Sequence, residues 1–80
     1  MITGPQIRAA RALLRWTSGA LARRSTVLKG VIVKAETADG VPSISPADLE
    51  IIKTTFENAG IEFIDMTGLN LRVGLPVKDG

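Results

Sequence analysis

Seven cations stand among the first forty residues: Arg8, Arg11, Arg15, Arg23, Arg24, Lys29 and Lys34. Only Glu36 and Asp39 oppose them, a balance of +5. In residues 41–80, Lys53, Arg72 and Lys78 face Asp48, Glu50, Glu57, Glu62, Asp65 and Asp79, a balance of −3, so the chain of 80 residues carries +2. Clustered guanidinium and ammonium groups bind polyanions well, so nucleic acid is the partner class they suggest. The alternative is chance clustering on solvated helix faces. Catalysis has poorer material. The chain has no histidine, cysteine or tyrosine, which removes the usual general base, the usual zinc ligands and any disulfide. Glu50 and Glu57 lie two turns apart on one helix face, a spacing more typical of a solvated face than of an acid–base pair. The glycines match no phosphate-cradling loop. The residues therefore point to a binding protein, with no enzymatic activity, metal, cofactor or small-molecule ligand expected.

The elements that must position these cations follow from caps and periodicity. Thr3-Gly4-Pro5-Gln6 reads as a capped helix start, and Ile7, Ala10, Leu13 and Leu14 recur as its apolar face, to about Leu14 or Arg15. Thr17 caps a short helix from Ser18 to Arg24, with Leu21 and Ala22 inward. Ser25-Thr26-Val27 is a turn. Val31-Ile32-Val33 alone favours a strand. Asp39 to Ser43 is a loop. Ser45-Pro46-Ala47-Asp48 opens the strongest helix, with Leu49, Ile52, Phe56 and Ala59 inward, Ile51 beside them, and Gly60 as terminator. Ile61 to Ile64 and the alternating Leu69, Leu71, Val73 and Leu75 read as a β-hairpin about a turn at Asp65-Met66-Thr67-Gly68. A lone hairpin is marginal, so it must pack on the helices or pair with another chain. No run approaches the length of a membrane span, and no charged-then-apolar leader pattern opens the chain. A soluble, cytoplasmic protein is the expectation.

The segment Ile7 to Gly40, IRAARALLRWTSGALARRSTVLKGVIVKAETADG, resembles the XRE-type helix-turn-helix of phage-repressor relatives. More closely, the chain is similar to small bacterial regulators that open with a MITG-QIRAARALL-W pattern and continue through a serine-capped helix into AG-EFI. The echoes are Met1 to Leu14, Trp16, Ser45 and Ala59 to Ile64, which together span most of the chain. The resemblance implies a further short helix over about Lys29–Thr37 instead of a strand at Val31 to Val33, with Ile32 and Ala35 inward. It implies that Leu21, Ala22 and Ile32 pack the two short helices together. It also implies that Arg11 and Glu36 form an internal ion pair, the alternative being two solvated charges, and that Trp16 is a core residue at the first helix junction rather than a ligand-stacking one. Four positions depart from the family pattern: Ser18 replaces a phosphate-gripping glutamine, Ala20 an acid completing the cap, Thr26 a turn glycine, and Leu28 a serine or threonine.

The fold expected is mainly α: four to five short helices in a repressor-like helix-turn-helix bundle over residues 1–60, with a C-terminal β-hairpin over 61–80. The function implied is sequence-specific transcriptional regulation by a homodimer on double-stranded DNA, joined through the hairpin. Its recognition helix lies near residues 28–37. Thr17, Ser18, Arg23, Lys29, Gly30, Val31 and Lys34 are the DNA-facing candidates, with Arg24 near the backbone. The alternative is a helix-turn-helix module that binds a protein, suggested by the apolar Leu28, Gly30 and Val31.

Overall fold

The structure is a computed structural model and describes residues 2–64 and 69–71. Within them the chain is mainly helical: α1 (Gly4–Leu14), α2 (Ser18–Ser25), α3 (Lys29–Glu36) and α4 (Pro46–Asn58), then the short strands β1 (Ile61–Phe63) and β2 (Leu69–Leu71). Several boundaries have a local cause. At α1, the Thr3 hydroxyl accepts from the Gln6 N–H at 3.3 Å, and Gln6 Oε1 accepts from the Thr3 N–H at 3.0 Å, a reciprocal capping box. Thr17 caps α2 through the Ala20 N–H at 3.0 Å, and Ser45 caps α4 through the Asp48 N–H at 3.0 Å. Gly60, at φ 103°, ends α4 in a backbone conformation that glycine adopts without strain.

The core lies where the four helices converge. Ile2, Ile7, Ala10, Leu21, Val27, Ile32, Ala35, Leu49, Ile52, Phe56 and Ile61 are buried there. One expected core residue is misplaced: Leu13 is 47% exposed. Helix α1 ends one residue later, with Arg15 left-handed at φ 57°. The packed face of α1 is therefore Ile7, Ala10 and Leu14, while Leu13 stands one residue round from it. Ile51 is likewise mostly outside the inward face of α4.

The approach of α1 to the end of α3 depends on Gly4. Its N–H donates to Gly40 O at 3.0 Å. A Cβ placed on Gly4 would lie 2.1 Å from Ala38 O and 2.7 Å from Ala35 O. No side chain larger than hydrogen fits there without moving backbone.

Strands β1 and β2 pair antiparallel, Ile61 opposite Leu71 and Phe63 opposite Leu69. β1 packs on α4, with Ile61 in the core and Phe63 against it. β2 lies against α1. The expected turn at Asp65 to Gly68, and Val73 and Leu75 beyond it, lie outside the described residues. Among the described residues no helix is long and apolar enough to cross a membrane.

Candidate functional site

Helices α2 and α3 are joined by three residues, Thr26 to Leu28. The turn is organised by a buried serine. Ser25 Oγ donates to Leu21 O at 2.7 Å and accepts from the Val27 N–H at 3.2 Å. Thr26 takes the left-handed conformation at φ 63°, its N–H donating to Ala22 O at 2.8 Å. That is the position the resemblance associates with glycine, and here a β-branched residue occupies it at positive φ. Val27 then turns inward and is buried.

Helix α3 is held on one side and open on the other. Ile32 and Ala35 are fully buried, and Val31 packs partly against the core. Lys29, Gly30, Val33 and Lys34 are exposed. Leu28, which precedes the helix without a side-chain cap, is 76% exposed. The open face thus differs from the sequence-based one in a single exchange. Val31 leans into the core, and Val33, at 46% exposure, stands among the lysines. Val33 follows Lys29 by four residues and Gly30 by three, a helical spacing that could have placed it there.

The C-terminal end of α3 is anchored by two arginines of α1. Arg11 Nε donates to Glu36 Oε2 at 2.8 Å and Arg11 Nη2 to Glu36 Oε1 at 3.0 Å, a bidentate pair. The third edge of the same guanidinium donates from Nη1 to Trp16 O at 2.9 Å. One side chain therefore joins α1, the α1–α2 junction and the end of α3. The hydrogen bond to Glu36 raises the Arg11 pKa above its usual value, against an opposing desolvation effect, with the Glu36 charge adding to the rise. Arg8 Nη1 also donates to the Glu36 carbonyl. Cations at a helix C-terminus are favoured by its partial negative charge.

The remaining candidates line α2. Thr17 is exposed, its hydroxyl engaged as the helix cap; Ser18, the first residue of α2, is half-buried; Arg23 is exposed and folds back towards Gly19. Arg24 stacks over the Trp16 ring, 4.6 Å from its centroid. Trp16 in turn stacks on Phe56 at 5.8 Å and 18°. The structure thus leaves Lys29, Gly30, Val33 and Lys34 exposed along α3, with Leu28 exposed just before it, divides Val31 between surface and core, and spends Arg8 and Arg11 on the scaffold. Sequence reasoning missed Ser25, Gly4 and Arg8; their partners are backbone atoms, which carry no signature of their own in a sequence.

No protein-family model matches the chain, and no curated protein matches it either.

Proposed function

We propose that this chain is a sequence-specific DNA-binding regulator of the XRE, phage-repressor-like helix-turn-helix type, acting as a homodimer. The observation that carries the reading is α3: a helix packed by Ile32 and Ala35, tied at its C-terminus by Arg8 and Arg11, and open on a face that presents Lys29 and Lys34. A helix held in this way can enter a major groove as a rigid body, following a three-residue turn from a helix that crosses the backbone. Lys29 and Lys34 then reach guanine edges or phosphates, and Leu28 and Val33 meet thymine methyl groups. Thr17, Ser18 and Arg23, at and along α2, take the phosphates. Residues 61–80, read as a hairpin, supply the dimer contact and set two recognition helices about 34 Å apart. Among the described residues no third strand joins the β1–β2 pair, which supports strand pairing with a second copy.

The test is selection of duplexes from a random pool, followed by binding of the selected site across a range of salt concentrations. Affinity should fall linearly with salt on a log–log scale. Lys29→Ala and Lys34→Ala should each lower that slope by about 1 where the lysine meets phosphate, or cost about 1–3 kcal/mol at one base pair where it meets a base edge. Failure to enrich any duplex at low salt overturns the reading.

A second reading has its own observation. Leu28 and Val33 are large apolar groups exposed at the start of and along α3, and Gly30 between them carries no side chain. A protein partner for these groups predicts binding that persists at high salt and is lost in Leu28→Ser.

A further inference from the structure

Between the α1–α2 linker, α2 and the end of α4 a cleft of about 310 Å³ opens, lined by Trp16, Arg24, Thr55, Asn58 and Ala59. None of these residues belongs to α3, so the cleft is separate from the face discussed above. Its floor is fixed. Phe56 is fully buried, Trp16 stacks on it, and Phe63 meets it edge-on at 6.1 Å and 65°. Its cation is held but not neutralised. The Arg24 guanidinium carbon stands 4.6 Å from the Trp16 ring centroid, and among the described residues no carboxylate pairs with it. A cation–π contact uses no guanidinium N–H donor, and among the described residues none of the Arg24 donors meets an acceptor, so they are open to one. The Asn58 amide makes no hydrogen bond to another described residue. Thr55 Oγ1 donates to Ile51 O at 2.8 Å, which spends its hydrogen and leaves its oxygen able to accept. The Trp16 ring edge and the Ala59 methyl are apolar.

A planar fork, a free amide and an aromatic wall form a combination that recognises a carboxylate carried on a flat apolar body. We propose that this cleft binds a small organic acid, its carboxylate bidentate on Arg24 and within reach of Asn58, its ring against Trp16 and Ala59. The volume lies at the lower end of the range for small-molecule sites, about 300–1,000 Å³, so the ligand is a single ring rather than a nucleotide. Inorganic phosphate satisfies the fork but leaves the apolar wall uncovered. The proposal does not depend on the DNA-binding reading.

Trp16 is the one tryptophan of the chain, so a single indole N–H resonance reports on the cleft. The full chain, labelled with nitrogen-15, is titrated with sodium benzoate, benzamide and inorganic phosphate at constant ionic strength. Benzoate should move the Trp16 indole signal along a saturating curve in the millimolar range. Arg24→Gln should weaken that binding roughly tenfold or more, as expected for losing hydrogen bonds to a charged group. Asn58→Ala changes an exposed residue and should weaken it by a smaller factor, which keeps the test valid if Arg24→Gln disturbs the stack. An unsaturated linear drift overturns the proposal, as does an equal response to benzamide. Equal saturation by phosphate overturns the organic-acid assignment, and benzoate curves unchanged in both variants overturn the site.

Discussion

Two small residues control the geometry around α3. Gly4 lets the start of α1 touch the carbonyls of Ala35 and Ala38. Gly4→Ala should therefore lower stability by about 1–3 kcal/mol, the usual range for overpacking, read as a shift in the urea midpoint. An unchanged midpoint would contradict the close approach. Ser25 performs a polar task of similar weight. Its hydroxyl satisfies the buried Val27 N–H and returns a bond to Leu21 O. Ser25→Ala orphans that N–H and should cost about 1–3 kcal/mol. Ser25→Thr keeps the hydroxyl, so it should recover part of the loss unless its extra methyl clashes in the turn. Thr26 accepts positive φ beside it because the turn is determined from both sides, by the Ala22 carbonyl and by the burial of Val27.

At the scale of the element, α3 is a helix by tertiary decision. It opens without a side-chain cap at Leu28, contains Gly30 and runs through three β-branched residues. Each of these disfavours an isolated helix. Burial of Ile32 and Ala35 and the two arginines at Glu36 override them. Gly30 faces open space, with nothing within 4 Å of a Cβ there and no positive φ. Gly30→Ala should then stabilise the protein by up to about 1 kcal/mol, raising the thermal midpoint. A lower midpoint would mean that the glycine conformation matters in a way its surroundings do not indicate. Helix α4 is the opposite case. Its serine cap, early proline, first-turn Asp48 and terminal glycine agree with its packing, so local and global preferences coincide.

At the scale of the molecule, the basic half serves two ends. Arg8 and Arg11 hold α3 in place, and Arg24 lies on Trp16; Arg15, Arg23, Lys29 and Lys34 are exposed. Strand β1 is part of the fold, because Ile61 is buried and Phe63 packs beside Phe56. If residues 61–80 also join two copies, the 8.5 kDa chain should sediment at twice its mass. A strictly monomeric species at micromolar concentration would remove the dimer from the proposal. Truncation before Ile61 should lower both the unfolding midpoint and the solubility, since it uncovers Ile52 and Phe56.

Caps and periodicity, by themselves, determined where α1, α2 and α4 begin and where α4 ends. Thr3, Thr17, Ser45 and Gly60 act on backbone groups within a few residues, so their effect is written locally. The helical state of Val31 to Val33 and the pairing of Arg11 with Glu36 were legible only through resemblance, because the partners lie far apart in the chain. The tertiary structure alone decided that Leu13 faces outward, that Val33 rather than Val31 stands fully on the open face of α3, that Gly4 admits no Cβ, and that Trp16, Phe56 and Arg24 form one stack. These depend on the relative rotation of packed helices. A shift of one residue turns a side chain by about 100°, and that rotation is set by how the whole core closes, not by any short run of sequence.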